Sequence, residues 1–183
     1  MHVRVYSMWK APSANLVLAI GSLGVFMTVL DLFIVNIAFP NIEHDFAGSS
    51  LSTLAWILNG YAIIYAAMLV PVGRIADRVR QKRIFVLGLS VFTIASALCA
   101  VATGPAFLTV ARLIQAAGAA AVTPASLSLL LTAMPPEKRT WALGIWTSVG
   151  GMGAAAGPTI GGLLVSASWR WVFLVNIPIG IVA

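Results

Sequence analysis

Residues Gly144–Gly162 read GIWTSVGGMGAAAGPTIGG, and this stretch decides the class of fold. Gly153, Gly157 and Gly161 recur at every fourth position, so on a helix they form one smooth groove for the backbone of a neighbouring helix. Pro158 removes a helical hydrogen bond inside this groove and predicts a kink. Glycine costs about 1 kcal/mol per helical position relative to alanine, which favours a membrane, where close packing holds helices together. A packed glycine face without a mechanistic role is the alternative.

The composition excludes an ordinary soluble domain and a disordered chain, because 60% of the residues are hydrophobic and only 9% are charged. A sixth apolar run, from Trp171 to Ala183, is too short to cross a bilayer. We expect an all-α integral membrane bundle over residues 15–183, after a cytoplasmic segment over residues 1–14. Its five full spans, each of about 20 apolar residues or more, are predicted at Asn15–Phe39, Ser52–Val72, Ile84–Thr103, Ala106–Ala133 and Trp141–Ser166.

The basic residues predict the orientation of this bundle. The alternate loops, Pro40–Leu51 and Gly104–Pro105, contain no Lys or Arg. This asymmetry indicates a multi-pass protein of the cell membrane with a cytoplasmic N-terminus, and it excludes a nucleic-acid partner. Nine of the eleven basic residues fall on the predicted cytoplasmic side: Arg4, Lys10, Arg74, Arg78, Arg80, Lys82, Arg83, Lys138 and Arg139. Tryptophans typical of membrane boundaries flank the spans, with Trp9 and Trp141 on the inner side and Trp56, Trp169 and Trp171 on the outer side.

Two ionisable residues, Asp31 and Arg112, lie well inside predicted spans. Each costs about 2.5–3.5 kcal/mol at a bilayer centre, so each needs a partner or a water-filled cavity, and a functional role is the default interpretation. The alternative for Asp31 is a structural partner, either Thr28 one turn earlier or a neighbouring helix. The alternative for Arg112 is a structural tie to backbone carbonyls.

A polar stripe runs down the fourth predicted helix. Arg112, Gln115, Ala119, Thr123 and Ser126 fall within a narrow arc of this helix. Lipid would leave these donors unpaired, so the stripe predicts a cavity or another polar helix on this side. Arginine does not readily lose its proton, so a role in proton coupling would operate through a nearby carboxylate or through water.

The predicted cytoplasmic loop at residues 73–83 reads GRIADRVRQKR. Its Asp77 lies among five cations and can bind Arg78, a neighbouring side chain or the N-terminus of another helix. Contacts of this kind at a membrane surface can form in one transporter state and break in another. A solvated anchor for the topology is the alternative interpretation.

Other kinds of site have little support in the sequence. The single Cys99 excludes a disulfide framework, and His2 and His44 belong to no cluster that would hold a metal ion. Nucleotide-driven transport would need a phosphate-binding loop, which is absent. No nucleophile lies at a recognisable spacing from a base, so we do not expect an enzyme.

Five motifs resemble those of the major facilitator superfamily of transporters. Residues 73–83 resemble the signature between spans two and three, and residues 108–115 (LTVARLIQ) that of span four. Gly144–Gly162 resembles the span-five motif typical of antiporters. Residues 30–40 (LDLFIVNIAFP) and 169–180 (WRWVFLVNIPIG) are similar to motifs of the fourteen-span drug:proton antiporter branch. The chain departs from the pattern at Arg80 and Ala116, where glycine is usual, and at Gln81, where a basic residue is usual.

The resemblance implies one half of a pseudo-symmetric bundle that exports drugs or metabolites by alternating access. It implies no cofactor and no ATP, since a proton gradient supplies the energy, and partners that are lipid, protons, amphipathic or cationic small molecules and a C-terminal half of the same transporter. Site residues follow by position. Asp31, Arg112 and Gln115 would couple protons or handle substrate; Gly73, Asp77 and Arg78 would form the cytoplasmic gate; and Gly144, Gly153, Gly157, Pro158, Gly161 and Gly162 would shape span five.

Three interpretations remain at this stage. The leading one is a proton-coupled multidrug exporter of which this chain is an incomplete half. An exporter of an endogenous metabolite would use the same motifs. A truncated, non-transporting membrane protein, or a half bundle that depends on a partner, is the alternative from a different class.

Overall fold

The computed structural model describes residues 13–183, apart from the side chain of Asp77. Within that range the chain is helical and contains no strand, so the predicted all-α class is confirmed. Five helices are long and apolar enough to cross a membrane. The helices are α1 (Ala14–Asp45), α2 (Leu51–Arg78), α3 (Gln81–Ala100), α4 (Pro105–Ala133), α5 (Arg139–Val165), α6 (Trp171–Leu174) and α7 (Asn176–Val182), with a 3₁₀ turn at Pro136–Lys138 before α5.

Helices α1 and α2 extend beyond their predicted spans. Helix α1 continues through Pro40 to Asp45, so most of the predicted loop at residues 40–51 is helical. Ser50 then caps α2, and its hydroxyl accepts a hydrogen bond from the backbone N–H of Thr53 at 3.2 Å. Polar residues end a hydrophobic run without ending a helix, which explains why hydropathy placed the boundary too early.

The predicted loop at residues 73–83 is also mostly helical, which corrects its assignment. Helix α2 runs to Arg78 and α3 begins at Gln81, so only Val79 and Arg80 connect them. A basic residue in the last turn suits the negative end of the helix dipole. Arg80 has φ of −64°, so this position, where the resembled pattern has glycine, needs no left-handed conformation here.

The last apolar run forms two short helices instead of one. Helix α6 ends at Leu174 and α7 begins at Asn176, with Val175 between them. Pro178 has no backbone N–H to donate to the carbonyl of Leu174, which removes the hydrogen bond that would continue the helix.

Helix α5 packs along α1, as the predicted glycine groove requires. A β-carbon on Gly153 would lie 2.7 Å from the carbonyl oxygen of Phe26, and one on Gly157 would lie 2.8 Å from the β-carbon of Phe33. Gly161 continues the same close approach, against Ile34 at 3.0 Å. The groove is therefore present, and α1 fills it. Gly144, Gly151 and Gly162 face open space, and Pro158 is exposed on an uninterrupted α5.

A second glycine contact, between α3 and α4, was not predicted. A β-carbon on Gly118 would lie 2.6 Å from the backbone nitrogen of Phe92, and one on Gly88 would lie 2.9 Å from the carbonyl oxygen of Gly118. Together with the packing of α2 on α4, these contacts place α4 between α2 and α3. Helix α4 thereby reaches the centre of the bundle.

Trp169 ties the start of α6 to the end of α1. Its indole N–H donates to the Asp45 carboxylate at 2.6 Å, and its ring packs edge-on against Phe46 and Phe173. Arg170 lies 3.4 Å from the same carboxylate. Trp169 is 2% exposed, so this tryptophan of the predicted outer boundary packs inside the bundle.

Candidate functional site

Asp31 and Arg112 form an ion pair in the interior of the bundle. Asp31 lies near the middle of α1 and Arg112 lies on the second turn of α4. The guanidinium Nη1 is 2.5 Å from the carboxylate Oδ2, and the two side chains are 0% and 1% exposed. Charges this deeply buried are stable only when they are paired and hydrogen-bonded. The neighbouring-helix partner that the sequence allowed for Asp31 is therefore Arg112.

Gln115 completes the contact between these two charges. It lies almost one helical turn after Arg112, so both side chains project from the same face of α4. Its Oε1 accepts from Arg112 Nη1 at 2.7 Å, and its Nε2 donates to Asp31 Oδ1 at 2.9 Å. The amide thus bridges the cation and the anion, and the three predicted coupling residues form one cluster.

Ser96 on α3 and Asn176 on α7 extend the cluster. Asn176 Nδ2 donates to Asp31 Oδ1 at 2.9 Å and to Ser96 Oγ at 3.0 Å, and Gln115 Nε2 also donates to Ser96 Oγ at 3.1 Å. Ser96 in turn donates to the backbone carbonyl of Phe173 at 2.9 Å. Neither residue was predicted from the sequence. Asn176 had a usable signal, since an amide in an apolar membrane helix needs a polar partner.

An aromatic ring covers the guanidinium of Arg112. The Tyr61 ring centroid lies 3.9 Å from Arg112 Cζ, and the Phe173 centroid lies 5.8 Å from it. Both distances are within the range of a cation–π interaction. Tyr61 is 1% exposed, and its hydroxyl and Arg112 Nε have no hydrogen-bond partner among the described residues. Aromatic rings from α2 and α6 thus cover the guanidinium.

The structure decides between some of the alternatives for these side chains. Thr28 donates to the carbonyl of Val25 at 3.0 Å, so its hydroxyl bonds back to its own helix and does not bind Asp31. The hydrogen bonds of Arg112 to Asp31 and Gln115 go to side chains, where a structural tie would use backbone carbonyls.

The rest of the polar stripe on α4 also faces other helices. Thr123 lies 3.2 Å from the hydroxyl of Tyr65 on α2, and Ser126 accepts from the indole N–H of Trp146 on α5 at 3.2 Å. The prediction that the stripe faces another polar helix fits these contacts. Its two ends differ, because the charged end is sealed whereas Thr123 is only partly buried.

The predicted gate residues lie away from this cluster. Gly73 and Arg78 belong to the C-terminal part of α2, while the side chain of Asp77 is outside the described structure. A β-carbon on Gly73 would lie 3.6 Å from Pro124, which is about 18 Å along α4 from Arg112 at 1.5 Å per residue.

The span-five glycines reach the cluster only indirectly. A β-carbon on Gly153 would lie 3.2 Å from the backbone nitrogen of Leu30, the residue before Asp31. Within residues 13–183, no three His, Cys, Asp or Glu side chains are grouped so that they could hold a metal ion.

Comparisons with known proteins place the chain in a family. The family model described as Major Facilitator Superfamily matches residues 21–183. The methylenomycin A resistance protein of Streptomyces coelicolor is 41% identical over 159 residues, which are 86% of this chain and 33% of that protein. The multidrug resistance protein Stp of Mycobacterium tuberculosis is 41% identical over 160 residues, 86% of this chain and 30% of that protein. This chain thus spans about a third of the length of these curated relatives.

A solved structure shows the same fold. It is the crystal structure of a bacterial homologue of the human lysosomal transporter Spinster, in an inward-facing and occupied conformation. The TM-score is 0.80 at 23% sequence identity, and the match covers 94% of this chain and 44% of that one. At this identity the likeness concerns the fold alone.

Proposed function

Because this chain belongs to the Major Facilitator Superfamily, whose members are transporters rather than enzymes, we propose that it is half of a proton-coupled exporter of amphipathic or cationic small molecules. The proposed exporter is an antiporter of the cell membrane with a cytoplasmic N-terminus, and it uses a proton gradient without ATP or another cofactor. The observation that carries the proposal is the buried ion pair between Asp31 and Arg112.

The chemistry of this pair supports proton coupling. Arginine keeps its proton, whereas a carboxylate can alternate between an ionised and a neutral form. In the proposal Asp31 binds the transported proton. Neutralising Asp31 removes the charge that holds the Arg112 guanidinium at 2.5 Å. Since Asp31 is on α1 and Arg112 on α4, protonation changes the contact between these two helices.

The surroundings of the pair favour a coupled role over a purely structural one. A buried ion pair is weak support for stability, because hydrophobic residues of similar volume often serve as well or better. Ionisable residues inside membrane helices generally mark ion or proton pathways. Arg112 and Asp31 lie together with Gln115, Ser96 and Asn176 in an otherwise apolar bundle. A polar network in an apolar bundle contributes little to stability, so its presence favours a functional role.

Export of small molecules is supported by the relatives. The names of two proteins that are 41% identical to this chain refer to resistance to methylenomycin A and to multiple drugs. A substrate site in this fold lies near the membrane midplane between the two repeats. The other half of the bundle would supply the rest of the cavity, with Asp77 holding the gate against it. Orientation follows from the basic residues concentrated on one side.

Proton release from everted membrane vesicles tests the proposal. Vesicles from cells that express the full-length protein are energised by respiration, and ethidium is added while a fluorescent dye reports the internal pH. We expect ethidium to release protons from vesicles with the unchanged protein. Asp31→Asn and Arg112→Ala should abolish this release at equal amounts of inserted protein. Lys138→Ala removes an exposed cation and should leave it unchanged. Release at the unchanged level from Arg112→Ala would contradict the proposal.

A blot distinguishes the exporter from a half bundle that stands alone. An N-terminal tag on the chromosomal copy reports the size of the native product in membranes. We expect a product about twice the mass of this chain or more, since a complete bundle of this fold has a second repeat. A product of 19.2 kDa would indicate a half bundle that needs a partner or does not transport.

A further inference from the structure

We propose that Asn176 is a positioning residue that changes from hydrogen-bond donor to acceptor when Asp31 binds a proton. This inference rests on the proposed function, because it concerns the proton-loaded form of the same site.

The observed hydrogen bonds suit an ionised Asp31. Its carboxylate accepts from three donors: Arg112 Nη1 on Oδ2, and Gln115 Nε2 and Asn176 Nδ2 on Oδ1. An ionised carboxylate only accepts hydrogen bonds, so three donors satisfy it. Asn176 commits both of its amide hydrogens here, one to Asp31 and one to Ser96.

A protonated Asp31 needs an acceptor in the same place. Its O–H is a donor, and a buried donor without a partner is destabilising. Gln115 Oε1 already accepts from Arg112 and lies 3.7 Å from Cys99 Sγ. Ser96 Oγ already accepts from both amides.

The side-chain oxygen of Asn176 is an unused acceptor on an amide that already contacts Asp31, whereas the unpartnered Tyr61 hydroxyl makes no hydrogen bond to Asp31. This Oδ1 is buried and has no hydrogen-bond partner among the described residues. A half-turn of the amide about its last side-chain bond exchanges the nitrogen and the oxygen, which have almost the same shape. The oxygen then takes the present position of Nδ2, 2.9 Å from Asp31 Oδ1 and 3.0 Å from Ser96 Oγ.

The step needs only one proton. The proton binds Asp31 Oδ1 and its O–H donates to Asn176 Oδ1, while Arg112 keeps a hydrogen bond to the neutral carboxyl through Oδ2. No covalent bond other than this O–H forms or breaks. In the ionised form Asn176 stabilises the negative charge, and in the neutral form it stabilises the acid. It therefore supplies a hydrogen-bond partner to Asp31 in each form, and the turned amide places its N–H groups where Oδ1 now lies without a partner among the described residues.

Other ionisable groups around Asp31 cannot take this role. Arg112 on α4, Tyr61 on α2 and Cys99 on α3 interact electrostatically with Asp31. Arg112 has no acceptor, and neither Tyr61 nor Cys99 makes a hydrogen bond to the carboxylate in the structure. The buried residues of α5 are one alanine and four glycines, none of which can bind or release a proton. Asn176 is thus the residue in position to accept a hydrogen bond from the O–H of protonated Asp31.

Infrared difference spectroscopy tests the exchange directly. The full-length protein in lipid is acidified, and the carbonyl stretch of the newly protonated carboxyl is recorded. We expect this band to be lost in Asp31→Asn. In Asn176→Leu the band should shift to higher frequency, because the acid has lost its acceptor, and an asparagine amide signal should disappear. Asn36→Leu is the matched control, because the Asn36 amide donates to the carbonyl of Leu32 in its own helix.

Each outcome decides the inference. A carboxyl band of Asp31 at the same frequency in Asn176→Leu would overturn the role of Asn176 and leave proton coupling by Asp31 standing. No Asp31 band in the unchanged protein would overturn both. Where Asn176→Leu fails to fold, the unchanged protein is labelled with carbon-13 in the asparagine side-chain carbonyl. An acid-induced amide signal that moves with the label is expected, and its absence would overturn the inference.

Discussion

A side-chain carbon on Gly153 of α5 would lie 2.7 Å from the backbone carbonyl oxygen of Phe26 on α1. Backbone atoms cannot move aside as a flexible side chain can, so α1 and α5 would have to separate. We expect Gly153→Ala to lower the free energy of unfolding by about 1–3 kcal/mol, the usual cost of overpacking. Thermal unfolding of the purified full-length protein measures this change.

Gly151→Ala is the matched control for this prediction. Gly151 lies two residues earlier on the same helix, and nothing is within 4 Å of the position of its β-carbon. We expect this change to be neutral or to stabilise by up to about 1 kcal/mol, from helix propensity alone. Equal effects of the two substitutions would contradict the close packing of α5 on α1.

The buried ion pair should show strong coupling between its members. Asp31→Asn leaves an arginine that cannot shed its charge, so we expect a loss of about 3–5 kcal/mol. Arg112→Met should cost less, because Asp31 can become neutral by binding a proton. The double variant should be more stable than the sum of the single losses predicts. A double-mutant cycle on unfolding free energies measures the coupling.

The exposed pair of Arg170 and Asp45 provides the comparison. Their side chains are 40% and 44% exposed and lie 3.4 Å apart. We expect a coupling energy of only about 0–1 kcal/mol here. Coupling at Asp31 and Arg112 that is no larger than this would argue against a desolvated pair.

Tyr61 should stabilise the cluster through its ring and not through its hydroxyl. The hydroxyl is buried without a partner, so Tyr61→Phe should leave stability unchanged or raise it by up to about 1 kcal/mol. Tyr61→Leu removes the ring that lies 3.9 Å from the guanidinium of Arg112, and we expect a loss of about 1–2 kcal/mol or more. Unfolding temperatures of the two variants separate these roles, and a larger loss in Tyr61→Phe would reverse the assignment.

The indole N–H of Trp169 should contribute to stability, although most contacts of this side chain are apolar. Trp169→Phe keeps an aromatic ring between Phe46 and Phe173 but loses the 2.6 Å hydrogen bond to Asp45. We expect a loss of about 0.5–1.5 kcal/mol. Trp171→Phe, at a position that is 50% exposed, should change stability by less than about 0.5 kcal/mol. Chemical denaturation monitored by circular dichroism compares the two.

The hydrophobic runs predicted the helices well because each span must be apolar over most of its length. They did not predict where the helices end, since α1 continues past Pro40 and α2 continues to Arg78 through polar residues. Hydropathy reports what the bilayer requires. Helix length depends also on capping and on packing beyond the apolar layer.

The candidate site was only partly visible in the sequence. Asp31 and Arg112 stood out because each is a charge in an apolar run, but their pairing depends on how α1 and α4 pack. Ser96 could not be distinguished from Ser90 and Thr93 on the same helix. Those two donate to backbone carbonyls four residues earlier, at 2.8 Å each, whereas Ser96 reaches Phe173. Only the tertiary structure separates these cases.

The segment from Trp169 to Asn176 is hydrogen-bonded to α1 at both ends. The Trp169 indole donates to Asp45, and the Asn176 amide donates to Asp31. Substitutions between these points leave the spacing of the two contacts unchanged, whereas an insertion or deletion rotates one contact relative to the other. One added helical residue turns everything after it by about 100°, which would carry the Asn176 amide away from the carboxylate. The seven-residue spacing therefore determines whether the Asn176 amide points at the Asp31 carboxylate. We expect the length of this spacing to be conserved as strictly as the residues at its two ends.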